Sequence, residues 1–454
     1  MEKKLTLTFC GGTGSVTGAN FLLEGEGKKF LIDCGLTQNT KLADESNWDP
    51  FLYTPSEIDI LFITHAHIDH IGRIPKIIQE GFKGKIISTP ATKAVAEFML
   101  EDTVNILGRS EDDRVHAMYT MENAKKAMAL WETIEYHQML NVDHGFRFSY
   151  KDAGHILGSG MLEVMYNGKK IVFTGDLGNS PSPLLKDTEL ISDATYLIME
   201  SVYGDRIHEH RNERKKMLEA TIEDNYNRGG TLIVPTFSLE RSQELLFEIN
   251  DLVENKRIPQ MPIFFDSPLA IKLTTVYRKF EDYFNETARK VIGTGDDIFN
   301  FPGLHVTLET EESKEIVHAK DPKIVIAGSG MSNGGRIVHH EHNYLPNPKN
   351  TLLLTGYQSL GTLGRTIQDG AKIVRISGQE VPVRATIATI NGYSGHKDSN
   401  GLIDFVEHTA NTVKKVYVVM GEPKSSLFLV QKLRDNLAVD AVAPELGDKV
   451  ELVC

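Results

Sequence analysis

Apolar residues near the start of the chain come in short runs separated by turn-forming residues. Leu5–Phe9, Asn20–Leu23 and Lys29–Ile32 read as strands, and Glu24-Gly25-Glu26-Gly27 supplies the turn between the last two. Ile58–Thr64 reads as a buried strand with a polar end. Ala91–Leu107 and Glu122–Glu135 read as helices. Lys170–Thr174 and Tyr196–Met199 are further buried strands, followed by Gly175-Asp176 and by Glu200. From about Asp205 helix and strand alternate. Glu213–Arg228 is a predicted helix stopped by Gly229-Gly230, Thr231–Val234 a strand and Ser238–Val253 a helix. Pro262–Phe265, Ile324–Ala327 and Leu352–Leu354 follow as apolar strands, which predicts a second, mostly parallel α/β unit. Val383–Ile390 and Val416–Val419 are later strands, with Leu402–Val406 on a helix between them. No Gly/Ser/Pro linker separates the two patterns, so an insertion of one domain into another fits at least as well as two domains in tandem.

A length of 454 residues suits two or three domains, and 41% hydrophobic with 24% charged residues suits a packed globule. No run of eighteen apolar residues occurs, so no membrane span is expected. Lys3 and Lys4 precede an apolar stretch, but Thr6 and Thr8 interrupt it, which favours a first strand over a leader. Cys10, Cys34 and Cys454 form no CxxC pair, as expected of a reducing, cytoplasmic setting. The net charge of −13 argues against non-specific coating of nucleic acid, which needs Lys and Arg. It leaves room for an enzyme whose bound metal ions supply the local positive charge.

The densest chemical signal is Thr64-His65-Ala66-His67-Ile68-Asp69-His70, directly after a buried strand. Alternation puts His65 and His67 on one side of an extended chain, and the turn beyond can redirect Asp69 and His70. Imidazole and carboxylate are the ligands of hydrolytic zinc, whereas structural sites usually use cysteine. Other ligands should come from other strand ends. His155 lies among glycines in Gly154-His155-Ile156-Leu157-Gly158, and Asp176 could bridge two ions. Asp33 ends the strand Phe30-Leu31-Ile32 and could orient a ligand histidine from behind. Taken singly, each is an ordinary turn residue; together they gain weight.

His65, His67, Asp69, His70, His155 and Asp176, with Asp33 before them, resemble the signature set of the metallo-β-lactamase superfamily. Glu200, in Met199-Glu200-Ser201-Val202-Tyr203-Gly204-Asp205, resembles the acidic motif at the entrance to a β-CASP insertion. His396, in Tyr393-Ser394-Gly395-His396-Lys397-Asp398, resembles the family's last histidine motif, which is histidine in the RNA-processing branch and typically valine in the DNA-repair branch. Pro235-Thr236-Phe237-Ser238, Asp266-Ser267-Pro268 and Gly328-Ser329-Gly330-Met331 resemble further β-CASP landmarks.

The resemblance implies an α/β fold: an αββα metallo-β-lactamase sandwich in segments 1–208 and 366–454, with a β-CASP domain over 209–365. It implies a zinc-dependent ribonuclease with two zinc ions, one on His65, His67 and His155, the other on Asp69, His70 and His396, bridged by Asp176. Asp33, Asp69, Glu200 and His396 are the implied catalytic residues. Hydroxide attacks phosphorus and leaves 5′-phosphate and 3′-hydroxyl ends, with RNA as the partner and no membrane. One departure matters. Relatives often carry a histidine one residue after the position of Arg365, and Thr366 stands there. The leaving-group acid is then Glu200, His396 or a water.

Gly328-Ser329-Gly330-Met331-Ser332-Asn333-Gly334-Gly335-Arg336 follows a buried strand and opens toward a helix. Its Ser329, Ser332, Asn333, Gly334 and Arg336 are candidates to hold a substrate phosphate, against the plainer reading of a glycine turn. Gly11-Gly12-Thr13-Gly14-Ser15-Val16-Thr17-Gly18 has the wrong spacing and context for a dinucleotide fingerprint. Arg206, Arg211, Arg214, Lys215 and Lys216 are interleaved with Asp205, Glu209 and Glu213, which reads as a solvated helix face with i,i+4 pairs. Three rival functions remain: a small-ester or thioester hydrolase, a DNA nuclease, and an RNA-binding scaffold. The second unit and His396 speak against the first. Scaffolds lose ligands, and here every ligand position is filled. The oligomeric state stays open, a homodimer included.

Overall fold

The computed structural model describes residues 3–38, 45–208, 213–356, 358–359 and 361–454. The chain forms two compact units, Met1–Ile207 with Gly395–Cys454 and, inserted between these, His208–Ser394.

The first unit is built on two seven-stranded sheets. Its strands are β1 (Lys4–Gly11), β2 (Asn20–Gly25), β3 (Lys28–Ile32), β4 (Ile60–Phe62), β5 (Lys85–Ser88) and β6 (Trp131–Thr133). After them come β7 (Leu140–Val142), β8 (Phe146–Asp152), β9 (Gly160–Tyr166), β10 (Lys169–Phe173) and β11 (Tyr196–Met199). The insertion carries β12 (Thr231–Pro235), β13 (Ile263–Asp266), β14 (Leu304–Val306), β15 (Lys323–Ala327), β16 (Thr351–Leu354), β17 (Ile373–Ile376), β18 (Gln379–Pro382) and β19 (Thr386–Thr389). The first unit then ends with β20 (Lys415–Val418), β21 (Ala441–Val442) and β22 (Lys449–Val453). Its sheets run β22-β1-β2-β3-β4-β5-β6 and β21-β20-β11-β10-β9-β8-β7.

Alternation along these strands sends Phe9, Phe30, Phe62, Phe146, Phe148 and Phe173 into one core between the sheets, each at most 1% exposed. Each such side chain contributes about 1.5–3 kcal/mol through burial. The outer face of the second sheet is covered by apolar residues of the helices Ser399–Glu407 and Pro423–Leu437, among them Leu402, Phe405, Leu429 and Leu433. This is the expected αββα sandwich.

The helix expected over Glu122–Glu135 is shorter, spanning Met121–Ala129. Trp131-Glu132-Thr133 instead pairs with β5, and the Trp131 indole N–H donates to Ser88 Oγ at 2.8 Å. Sheet pairing by aromatic and β-branched residues overrides the helical period there.

In the inserted unit six parallel strands lie in the order β14-β13-β15-β12-β16-β19. β12, β15 and β16 are buried along their whole length, as strands covered on both faces should be. The helix Arg214–Arg228 ends where Gly229 takes φ +67°, the stop its glycines announced. The return to the first unit lies later than the expected residue 366. β19 pairs with β16, and Val374, Ile376, Val381 and Ala385 fill the inserted unit's core. The strand expected over Val383–Ile390 therefore closes the inserted sheet, and the crossing falls between Ser394 and Gly395. Among the described residues no helix is long and apolar enough to cross a membrane.

Candidate metal centre

Parallel pairing of β3 with β4, and of β10 with β11, sets their carboxyl ends side by side. Asp33 follows β3, His65 comes three residues after β4, Asp176 comes three after β10, and Glu200 follows β11. His155 sits in the β8–β9 loop, and Gly178 bridges to His396. His67 is the N-cap of a single helical turn, Ile68–Ile71, which turns Asp69 and His70 back toward the strand ends. Two glycines make this crowding feasible. A Cβ at Gly35 would lie 1.5 Å from the Asp69 carbonyl oxygen, and one at Gly178 would lie 1.7 Å from that of Gly154.

Each imidazole is aimed by a neighbour. The Asp33 carboxylate takes the Thr64 backbone N–H and hydroxyl, both at 2.8 Å, and lies 2.7 Å from His70 Nδ1. The Gly395 carbonyl lies 3.1 Å from His155 Nδ1, Thr64 Oγ1 lies 3.1 Å from His65 Nδ1, and Glu200 Oε1 lies 3.2 Å from His396 Nδ1. With Nδ1 engaged, Nε2 is left as the ligating atom. His67 differs, because its Nδ1 faces Nε2 of both His65 and His155 at 3.2 Å.

These atoms gather in three groups, each within 4.8 Å: His65, His67, His155 and Asp176; Asp69, His70 and Asp176; Asp176, Glu200 and His396. Asp176 belongs to all three. Its Oδ2 lies 3.4 Å from His65 Nε2 and 3.5 Å from His155 Nε2, while its Oδ1 lies 3.3 Å from His70 Nε2. Ligands at about 2.0–2.1 Å in a tetrahedron stand about 3.3–3.4 Å apart, so these separations match the edges of a tetrahedron around a zinc-sized cation. His70 Nε2 and Asp176 Oδ1 face each other at 3.3 Å and are buried without a hydrogen-bond partner. The donor set fits a divalent cation.

Ionisation agrees. Burial, then the neighbouring imidazoles, hold His67 and His155 well below the usual histidine range, in the neutral form a metal requires. Burial opposes the charge on Asp176, but His70 and His65 hold its carboxyl well below the usual range. Burial likewise opposes the charge on His396. Glu200 and then Asp176 outweigh it, and the imidazole rises to about 9.

Comparison with known proteins places this geometry. Residues 16–224 match the model of the metallo-beta-lactamase superfamily, 242–367 that of the Beta-Casp domain, and 380–444 that of the Zn-dependent metallo-hydrolase RNA specificity domain. The chain is 35% identical over 419 residues to the ribonuclease TTHA0252 of Thermus thermophilus, covering 92% of this chain and 94% of that protein. The chain belongs to the β-CASP branch of the metallo-β-lactamase superfamily. It is also 30% identical over 451 residues to an RNase J-like protein of Methanocaldococcus jannaschii, covering 97% of this chain and 98% of that one. A crystal structure of a protein of unknown function from Enterococcus faecalis superposes with a TM-score of 0.58 at 14% identity, over 99% of this chain and 100% of that one, a likeness of fold alone. Membership makes the chain a metal-dependent hydrolase of the nuclease kind.

His396 gathers with Asp176 and Glu200. Two of the phosphate candidates are committed elsewhere. The Arg336 guanidinium donates to Asp266 and to the carbonyls of Thr307 and Leu308, and the buried Ser332 hydroxyl donates to Glu341. Asn333 accepts from the Leu363 N–H at 3.1 Å. Ser329 and Gly334 are partly exposed. Thr366 donates to the Thr362 carbonyl of its own helix at 3.0 Å.

Within the basic stretch Arg214 does not lie on a solvated face, whereas Lys216 is exposed. Arg214 is 8% exposed and paired with Glu248, and Lys215 pairs with Asp251, so the partners lie on another helix. Arg206 pairs with Asp205, while Glu209 and Arg211 fall outside the described residues. Sequence reasoning passed over Thr64 and the Gly395 carbonyl, which aim ligand histidines. Thr64 stood beside His65 as a hydroxyl at a buried strand end. A backbone carbonyl carries no sequence signal.

Proposed function

We propose that the chain is a zinc-dependent ribonuclease that hydrolyses RNA phosphodiester bonds, leaving 5′-phosphate and 3′-hydroxyl ends. One observation carries this: the two oxygens of Asp176 face two separate ligand groups, as a carboxylate bridging two cations must. His65, His67 and His155 would hold one zinc and Asp69 and His70 the other, with His396 completing the second. When bound, two zinc ions supply the charge that steadies a phosphodiester and lowers the pKa of the attacking water. Asp33 and Glu200 fix the tautomers of His70 and His396 from behind and do not themselves touch substrate.

RNA is favoured over DNA by two ribonuclease-named relatives and by the match of the segment around His396 to an RNA specificity model. Ser329 and Gly334 remain as phosphate contacts through backbone N–H groups ahead of the helix Gly335–Tyr344. Three free, buried cysteines suit a reducing compartment, and we place the protein in the cytoplasm.

The test has two arms. Elemental analysis of protein purified without chelator should find about two zinc ions per chain. Matched 5′-labelled RNA and DNA strands should show RNA cut at least ~10-fold faster, with ends that a 5′-phosphate-dependent ligase accepts. A fully active metal-free protein, or equal rates on RNA and DNA, overturns the assignment.

A further inference from the structure

The turn that follows β11 serves the metal centre twice. Glu200, its first residue, stands behind His396. Three residues on, the Tyr203 ring lies beside the same imidazole, 6.1 Å away between centroids and tilted by 39°. The Arg206 guanidinium lies 5.8 Å from the centre of the Tyr203 ring. Planar groups thus run outward from the centre: His155 and His396 at 4.6 Å, then Tyr203, then Arg206. All four belong to the first unit. The row leaves the buried side of the centre. The side chains of His65, His70 and His155 are at most 3% exposed, whereas those of His396 and Arg206 are 23% and 37% exposed and Tyr203 is half-buried.

The turn is held by its own unit. The Gly204 N–H donates to the Ser201 carbonyl at 3.0 Å and the Arg206 N–H to the Tyr203 carbonyl at 3.1 Å. The Ser425 hydroxyl donates to the Ser201 carbonyl at 2.6 Å, and the Ser399 N–H to the Arg206 carbonyl at 2.9 Å. A Cβ at Gly204 would lie 2.7 Å from the Ser425 carbonyl oxygen, so the turn sits directly on the helix Pro423–Leu437. A ring fixed in this way loses little freedom when a ligand packs on it.

Arg206 is not arranged to hold a phosphate. Its Nε pairs with Asp205 at 3.0 Å and its guanidinium lies 3.8 Å from Glu422, while Lys424 lies 3.2 Å from Asp205. Two carboxylates offset the two cations, and what Tyr203 and Arg206 offer a ligand is a pair of planes. The net charge of −13 points the same way, because it leaves RNA little diffuse attraction. Affinity beyond the metal must then come from contacts that need no net charge. Stacking of unpaired bases on aromatic rings and guanidinium planes is such a contact. The 5.8 Å gap exceeds van der Waals contact, about 3.5–4.0 Å, and an inserted base needs about twice that distance. A shift of about 1–2 Å by the Arg206 side chain admits one.

We infer that Tyr203 and Arg206 form a stacking subsite for the base of the nucleotide adjoining the scissile phosphate. The inference rests on the reading of the chain as a ribonuclease. It makes single-stranded RNA the substrate, since the bases of a duplex are already stacked on one another.

Three single-stranded RNAs test it with zinc-loaded protein: one with a single preferred cleavage bond, and two copies lacking the base on the 5′ or the 3′ side of that bond. Wild type should show a KM about 10-fold higher on one of the abasic RNAs. Tyr203→Leu should show that rise already on the intact RNA, with no further rise on the abasic one, and should keep the zinc content of wild type. Tyr203→Trp should keep the wild-type dependence. Arg206→Lys, which keeps the charge and loses the plane, should raise KM about 3-fold on the intact RNA only. Wild type indifferent to both missing bases overturns the inference, as does a further rise of the same size in Tyr203→Leu on the abasic RNA. Zinc loss in Tyr203→Leu also overturns it, because Tyr203 would then be a prop for His396. Should Tyr203→Leu not fold, Arg206→Lys decides, and equal rises on intact and abasic RNA overturn the subsite. Wild type that cuts none of the three RNAs overturns the ribonuclease reading itself, and the subsite with it.

Discussion

Asp176 and Asp266 are both buried carboxylates at or just beyond the carboxyl ends of strands, one in each unit, and they are treated in opposite ways. Asp266 is saturated. Its Oδ1 accepts from Thr307 and Arg336 and its Oδ2 from Ser313 and His340, all at 2.6–2.7 Å. Burial opposes its charge, but the hydrogen bonds from His340, Ser313, Thr307 and Arg336 hold the carboxyl far below its usual range. Burial opposes the charge on Asp176, which His70 and His65 hold low, yet its Oδ1 has no hydrogen-bond partner and the groups gathered around it are imidazoles and carboxylates. A carboxylate that the fold merely keeps is surrounded by N–H and O–H groups. One that the fold keeps for a cation is surrounded by other ligands. The same contrast accounts for Arg336, whose guanidinium is engaged by Asp266.

Substituting the two aspartates should break the protein in two different ways. Asp176→Asn should lower turnover by at least ~10³-fold and strip bound metal, with a melting temperature close to that of metal-free wild type. Asp266→Asn should leave the buried His340 and the partly buried Arg336 beside a neutral partner and cost about 3–5 kcal/mol of stability. Its folded fraction should keep its metal and its turnover. Metal analysis alongside denaturant unfolding decides; a stable, metal-poor Asp266→Asn protein would sink the comparison.

The histidines repeat the contrast on a smaller scale. His396 rests on Glu200, and His340 rests on Asp266. His396→Ala should reduce turnover by about 10²–10³-fold and loosen one ion while the fold survives, because a loop-borne ligand contributes little to the core. His340→Ala should do the reverse, losing stability with metal content intact. Wild-type zinc content together with wild-type cleavage in His396→Ala would make His396 an ordinary loop histidine.

Much of this was legible in the sequence, for an identifiable reason. The ligands that cluster locally, His65 to His70, were readable because a strand and one turn suffice to bring them together. The remote ones, His155, Asp176 and His396, were named through resemblance to a family, since nothing local makes an Asp at a strand end a ligand. Apolar runs gave most strands to within a few residues. Long-range pairing was not readable. β22 pairs with β1 across nearly the whole chain, and β19 joins the inserted sheet only because β16 is there to receive it. The misjudged basic stretch has the same origin. Arg214 looked solvated because its partner, Glu248, lies 34 residues away on another helix.

A third buried carboxylate sharpens the comparison and gives its smallest expected effect. Glu341 is fully buried; its Oε1 accepts from Ser332, and its Oε2 has no hydrogen-bond partner. In that respect it resembles Asp176, but no histidine or other ligand is grouped with it among the described residues. Burial therefore acts alone, against the single Ser332 bond, and pushes the carboxyl up to about 8. Glu341 should thus be neutral at pH 7, where Asp176 is ionised. The sign follows from linkage. The unfolded chain loses this proton near pH 4.5 and the folded chain near 8. The stability Glu341 contributes is fully present below about 4.5 and declines as pH rises to about 8, at up to ~1.4 kcal/mol per pH unit. Glu341→Gln removes the titration, so the variant should gain about 2–4 kcal/mol relative to wild type between pH 4.5 and 8. Denaturant midpoints across that range measure the difference directly. If the two proteins keep a constant offset, Glu341 is ionised in the folded state, and an unpartnered buried carboxylate oxygen marks a cation here as it does at Asp176.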